Sequence, residues 1–189
     1  KMERNMSLKS FIISAPYLTM IACTPNTPDT LSQKNEISEV TTCPSDQIIT
    51  NVEQYVDAAP EATGDYAKWH EENSLRDGVM TLKSGLQYKI VNEGISNGIS
   101  PIGPQVIRAN YHGYFPDGNI FDSSYERGQP LEYNANAFIK GWNEALSLMK
   151  PCSAWILYVP GDLAYGPAGR PGIPANATLI FNMQLLEVK

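Results

Sequence analysis

From residue 79 to the C-terminus the chain consists of short alternating stretches cut by Gly- and Pro-containing turns, with a single helical stretch among them. Alternation hands one face of each stretch to a core and the other to solvent, the pattern of half-buried strands. Residues 85–91 alternate in this way. Residues 105–115 set Val106, Arg108, Asn110 and His112 against Ile107, Ala109, Tyr111 and Gly113. Pro116-Asp117-Gly118-Asn119 then signals a turn, because Pro pre-sets φ and Gly supplies positive φ. Ile120-Phe121-Asp122 starts the returning strand. Further strands are expected over 154–159 and 178–188, the latter with Leu179, Phe181, Met183 and Leu185 on one face. A long Gly- and Pro-rich loop over 161–176 separates them. Residues 143–149 read as the helix, with Trp142, Ala145, Leu146 and Met149 on one side and Lys150-Pro151 stopping it. These elements predict an α+β fold in which an antiparallel twisted sheet wraps one short α-helix.

Ahead of this region the charge is uneven. Residues 24–79 carry three basic residues (Lys34, Lys68, Arg76) against eleven acidic ones, whereas residues 80–189 hold eight of each. The acidic stretch is expected to be a solvated segment or helical arm, and the neutral part the compact domain. Over 47–57, Ile48, Ile49, Val52 and Val56 recur at helical spacing with Tyr55 beside them. A second helix is expected over 63–76, bringing Tyr66, Trp69 and His70 together and ending at Asp77-Gly78. Residues 46–78 are thus expected to form a short helical N-terminal extension. With a formal net charge of −6 and no basic face, nucleic acid is not an expected partner.

The first residues read as an export signal. Arg4 and Lys9 precede an apolar run over 11–22, too short to span a membrane comfortably and suited to a signal h-region. A plain secretory signal and a packed N-terminal helix remain open readings, Pro16 weighing against the helix. Met20-Ile21-Ala22-Cys23 resembles the lipobox of bacterial lipoproteins. That likeness implies acylation of Cys23, a tether over 23–45, and a lipid anchor in the bacterial cell envelope facing the periplasm or exterior. With Cys23 lipidated, Cys43 and Cys152 are left either as a disulfide pair or as two free thiols. No CxxC and no Cys/His cluster is present, so no metal is expected.

Several chemistries find no support. The chain has no GxSxG elbow, no Walker loop and no GxGxxG. His70 and His112 lie in separate segments and read as surface polar residues. What remains is one carboxylate, Asp122, and one guanidinium, Arg127, among Tyr111, Phe121, Trp142, Tyr165 and Phe181. Such a set suits a pocket that works by shape, apolar contact and a few fixed hydrogen bonds, without a cofactor.

In order and local motif these residues resemble the FKBP-type peptidyl-prolyl isomerases. The likeness rests on Ser84-Gly85-Leu86-Gln87-Tyr88-Lys89, Asn110-Tyr111-His112-Gly113, Asp117-Gly118 through Arg127, Ile139 through Met149, and Asp162 through Phe181. Trp69-His70-Glu71-Glu72-Asn73 and Gly78-Val79 further resemble the macrophage infectivity potentiator-like bacterial subgroup. The resemblance implies an isomerase domain over 79–189 acting on Xaa–Pro bonds of extracytoplasmic chains. It implies a catalytic set of Asp122, Tyr165, Phe121 and Trp142. It also implies a prolyl pocket lined by Tyr111, Phe121, Asp122, Leu131, Phe138, Ile139, Trp142, Tyr165 and Phe181. Trp142 would be its floor, Phe121 and Phe181 its walls. Tyr165 would hydrogen-bond the peptide carbonyl, and Tyr111 and Arg127 would hold Asp122.

The implied partners are proline-containing polypeptides and tacrolimus- or rapamycin-type macrolides. A homodimer is compatible with the short arm but not required by it. A second reading is a membrane-tethered chaperone that binds proline segments, with turnover incidental. The chain departs from the family pattern at several places. Leu131 follows Pro130 where an aromatic is common, and Phe138 replaces a smaller residue and narrows the rim. Cys152 stands at a turn position where Gly is usual. Arg170 and the single Pro174 alter the loop that overhangs the pocket.

Overall fold

The computed structural model describes residues 39–189. The expectations for the signal segment, Cys23 and the tether up to residue 38 fall outside the described residues. Strands β1 (Val79–Thr81), β2 (Gln87–Asn92), β3 (Val106–Tyr114), β4 (Ile120–Ser123), β5 (Leu131–Asn134), β6 (Ala154–Val159) and β7 (Leu179–Val188) form one sheet. Its order is β1-β2-β6-β7-β3-β4, with β5 also on β3, and every strand pairing is antiparallel. Helix α1 (Tyr66–Ser74) precedes the sheet, and α2 (Lys140–Leu146) lies between β5 and β6. This is the expected α+β architecture.

Helix α2 starts three residues earlier than its apolar spacing suggested. Asn143 ties its lead-in: the Phe138 N–H donates to Asn143 Oδ1 (3.1 Å), and Asn143 Nδ2 donates to the Asn136 carbonyl (3.1 Å). Gly141 lets the helix approach the sheet closely, since a Cβ there would stand 2.6 Å from Val159 Cγ1. Trp142, Ala145, Leu146 and Met149 pack with Trp155, Leu157 and Val159 of β6 and Leu179, Phe181, Met183 and Leu185 of β7.

The opposite face of β6 and β7 is also buried, which alternation alone did not announce. Ala154, Ile156, Tyr158 and Ile180 form a second cluster with Tyr55 and Trp69. The cover is residues 39–65, here termed the strap, together with α1. Beyond the start of β6, where Ala154 pairs with Gln184, the last residues of β7 have a free edge and the strap takes it. Cys43 N–H donates to the Leu186 carbonyl (2.7 Å) and Val188 N–H to the Thr41 carbonyl (2.8 Å). Buried Gln184 fixes the next segment, accepting from the Ile49 N–H (2.7 Å) and donating to the Gln47 carbonyl (2.8 Å).

The helix expected over 47–57 is therefore replaced by two 3-10 turns, Ser45–Gln47 and Val52–Gln54, joined by extended chain. A helix this short has little intrinsic stability in water. The strap instead spends its backbone on the sheet edge and on Gln184. It buries Tyr55 and leaves Val56 78% exposed. The two histidines also differ from their expected surface placement. His112 is buried, with Nδ1 3.0 Å from Ser123 Oγ. His70, within α1, is half-buried, its carbonyl accepting from Gln87 Nε2 (2.8 Å). Burial holds both imidazoles below their usual pKa.

Cys43 and Cys152 are joined in a disulfide across 109 residues, with Cα atoms 4.9 Å apart. Cys152 has φ of 68°, one of two non-Gly residues with positive φ among those described. That conformation explains why glycine suits this turn. Cross-linking a loop of this length stabilises by up to about 4–5 kcal/mol in the chain-entropy picture. Replacing Cys43 by Ser is expected to lower the urea midpoint markedly. Combining Cys43→Ser with Cys152→Gly is expected to recover about 1 kcal/mol over the single variant, because glycine adopts the left-handed turn without strain.

Candidate active site

Strand β3 gives one edge to β7 and divides the other. Val106–Ala109 pair with β5, and His112–Tyr114 pair with β4. At the changeover Ser124 serves Tyr111. The Tyr111 N–H donates to Ser124 Oγ (2.8 Å), and the Ser124 N–H donates to the Tyr111 carbonyl (2.9 Å). This arrangement leaves the side chains of Tyr111, Asp122 and Arg127 beside one another.

A cavity of about 620 Å³ opens next to them. Its lining includes all nine residues expected there: Tyr111, Phe121, Asp122, Leu131, Phe138, Ile139, Trp142, Tyr165 and Phe181. Trp142, 4% exposed, is held by three rings. Tyr111 and Phe181 meet it edge-on at 5.1 and 5.0 Å, and Phe138 is tilted at 5.1 Å. Among the described residues its indole N–H is buried without an oxygen or nitrogen partner. Phe121 stands edge-to-face on Phe181 at 5.5 Å. Gly113 makes room for both rings, because a Cβ there would lie 2.7 Å from Phe121 and 3.0 Å from Phe181.

The polar rim has two halves. On one, Tyr111 OH donates to Asp122 Oδ2 (2.5 Å), Arg127 Nη1 pairs with Asp122 Oδ1, and Arg127 Nη2 donates to Tyr111 OH (2.8 Å). Burial, reinforced by the hydrogen bond to Asp122, pushes the Tyr111 pKa up to about 12, so its phenol remains a donor at neutral pH. The Asp122 and Arg127 side chains are 38% and 46% exposed. Asp122 is thus a half-exposed rim group, and the pair contributes at most about 1 kcal/mol. Its effect is to fix the carboxylate's direction.

The other half is the loop after β6. Within it Arg170 N–H donates to the Ile173 carbonyl (3.0 Å), Ile173 N–H returns to the Arg170 carbonyl (2.8 Å), and Asn176 N–H reaches the Gly166 carbonyl (2.8 Å). These bonds set Tyr165 at the cavity mouth, where its hydroxyl accepts from Arg170 Nη1 (3.0 Å). The Arg170 guanidinium also lies over the Tyr165 ring at 4.7 Å.

Ala137, Lys140, Ala164 and Arg170 complete the lining. Arg170 was legible as a rim residue. Lys140 sits within the matching block Ile139 to Met149 but carries no aromatic signal. Ala137 and Ala164 are small residues whose role is to leave space, and sequence gives no sign of that. Among the described residues no His/Cys/Asp/Glu group is arranged to hold a metal ion. No serine, cysteine or lysine in the lining is paired with a base. The arrangement can desolvate and grip a small ring while presenting fixed polar groups at its edge.

Comparison with known proteins gives this geometry relatives. A family model described as FKBP-type peptidyl-prolyl cis-trans isomerase matches residues 100–186. A second, for the domain amino terminal to such isomerases, matches residues 23–90. The chain is 48% identical over 118 residues to the peptidyl-prolyl cis-trans isomerase Mip of Coxiella burnetii, covering 62% of this chain and 50% of that protein. It is 42% identical over 118 residues to the outer membrane protein MIP of Legionella longbeachae, again 62% and 50%. The crystal structure of FkpA from Escherichia coli superposes with a TM-score of 0.64 at 40% identity, covering 67% of this chain and 58% of that one. The chain spans about half the length of the curated relatives it matches.

The role of Gly113 is open to a direct check. Gly113→Ala is expected to force Phe121 and Phe181 apart and to destabilise by about 1–3 kcal/mol, read as a lower urea midpoint. An unchanged midpoint would show that the two rings are not packed against this strand.

Proposed function

The chain belongs to the FKBP-type peptidyl-prolyl cis-trans isomerase family, and on that premise we propose that it catalyses rotation about Xaa–Pro bonds in polypeptides of the bacterial cell envelope. The observation that carries this reading is a cavity walled by Tyr111, Phe121, Trp142 and Phe181 with its single carboxylate already braced. Rotation of the amide meets a barrier of about 18–20 kcal/mol because resonance makes the C–N bond partly double. The twisted transition state has lost that resonance, so its carbonyl and nitrogen are less amide-like. A dry aromatic box favours that species over the planar, well-hydrated ground state.

In this reading Trp142 is the floor for the proline ring and Phe121 and Phe181 the walls. Tyr165 donates to a substrate carbonyl: its oxygen accepts from Arg170, which leaves the hydroxyl proton for the ligand. Ile139 supplies a further donor, since its N–H, ahead of the first bond of α2, has no acceptor among the described residues. Asp122, held by Tyr111 and Arg127, is a fixed negative edge rather than an acid or base. No bond is made or broken, so no nucleophile or cofactor is required. The same box would accept tacrolimus- or rapamycin-type macrolides, with Phe138 and Arg170 shaping the entrance.

Location follows as a proposal from Cys23 and its lipobox-like surroundings, together with a relative named as an outer membrane protein. Among the described residues no helix is long and apolar enough to cross a membrane. Mass spectrometry of the protein from its native host is expected to find an acylated Cys23 as the first residue. A peptide running intact through residues 20–26 would overturn the anchor.

A protease-coupled assay on a Xaa-Pro peptide tests the activity. We expect cis-to-trans conversion well above the spontaneous rate. Tyr165→Phe is expected to lower kcat/KM about tenfold, the size of one hydrogen bond, and Asp122→Ala to lower it too, both with unchanged urea midpoints. Conversion at the spontaneous rate would sink the proposal.

A further inference from the structure

The charges at the cavity mouth do not match those of the whole chain. The protein carries a formal net charge of −6. Four charged side chains nevertheless surround this cavity, and three are cations. Asp122, Lys140 and Arg170 line it, and Arg127 stands behind Asp122. Arg127 and Asp122 neutralise each other. Lys140 and Arg170 are exposed, and among the described residues neither forms an ion pair. Glu144, four residues after Lys140 on α2, accepts from Ser84 at 2.6 Å instead of pairing with Lys140. Asp162, on the same loop as Arg170, forms no ion pair with it.

The two cations sit beside the groups that would meet the substrate backbone. Arg170 stacks on the Tyr165 ring and donates to its hydroxyl. Only part of its planar donor fork is used by that one contact, and a guanidinium presents five N–H donors. Lys140 follows Ile139 directly, at the start of α2. A side chain on either neighbour of a bound proline would therefore emerge within reach of one of them.

We propose that Arg170 and Lys140 make the site selective for proline segments bearing Asp or Glu directly before or directly after the proline. This rests on the isomerase reading of the same cavity and names its preferred substrate class. An acidic neighbour gains a charge-assisted hydrogen bond from an otherwise unpaired cation, whereas a lysine there meets two like charges. Arg170 and Lys140 act on specificity, through the substrate's side chain, and not on the rotating bond.

The test compares kcat/KM for peptides that differ only in the residue flanking proline, as Glu, Gln or Lys on either side. In 20 mM salt the Glu peptide on at least one side is expected to exceed its Lys counterpart about fivefold, the size of one or two exposed ion pairs. The ratio is expected to fall toward one in 0.5 M salt, where exposed charges are screened. Ratios within a variant cancel any general loss through Tyr165, so each variant is read by its own Glu-to-Lys ratio. Arg170→Gln and Lys140→Gln are each expected to reduce the ratio, the double variant to abolish it, and Arg170→Lys to retain it.

Equal rates for Glu and Lys peptides on both sides would overturn the inference while leaving the isomerase reading standing. So would a ratio that survives in the double variant or in high salt. No turnover of any peptide would overturn both.

Discussion

Strand β3 has two edges and three partners, and the site exists because of how that conflict is resolved. One edge is taken by β7 along most of its length, and the other is shared in sequence by β5 and β4. A strand edge cannot change partners without leaving backbone groups unpaired, and unpaired buried backbone groups are costly. Ser124 removes the difficulty by pairing with both the N–H and the carbonyl of Tyr111. The chain between β4 and β5 is thereby folded into a short loop that carries Arg127 back toward Asp122. The charged edge of the aromatic box is thus a consequence of one partner change in the sheet.

Electrostatics divides the molecule into two unlike networks. On the rim, Asp122 and Arg127 are half-exposed and screened, so they direct rather than stabilise. Behind the sheet, the Asp57 carboxylate is almost fully enclosed and accepts from Tyr158 OH (2.8 Å) and from Arg76. Burial raises the pKa of Tyr158, keeping it a donor. Buried ion pairs recover their desolvation cost only in good geometry, and their better-attested use is to specify one arrangement over others. Here the arrangement is the register of the strap across β6. Asp57 belongs to the strap, Arg76 follows α1 and Tyr158 belongs to β6, so the triad joins three segments.

Much of this was legible in the chain. The alternation at 105–115 and 178–188 revealed β3 and β7, because one face of each meets α2 and period two survives. The ordered aromatic residues marked the cavity lining, since each sits at a fixed place on a strand, helix or loop of a recognisable family. The strap was not legible. Ile48, Ile49, Val52 and Val56 have helical spacing, yet their burial is decided by a sheet face far along the chain, and Gln184 rather than an adjacent turn satisfies the Ile49 N–H. The burial of His112 was missed because alternation set it opposite Tyr111, while Tyr114 and Ser123 pack beside it. Lys140 escaped notice because it carries no aromatic signal, and the early start of α2 is what brings it to the cavity.

The cross-link between Cys43 and Cys152 has a mechanical meaning. A pull applied to the chain ahead of Cys43 has a covalent path straight to Cys152, at the turn that leads into β6. Residues 44–151 lie off that path, so the strap from residue 44 onward, both helices and five of the seven strands, including β3 and β4, carry none of the covalent load. The remaining hold on the incoming chain is the short run of bonds between residues 41–43 and the end of β7. For a domain held by its N-terminal end, β3, β4 and α2, with Tyr111, Phe121, Asp122 and Trp142, would remain slack while the incoming chain is taut.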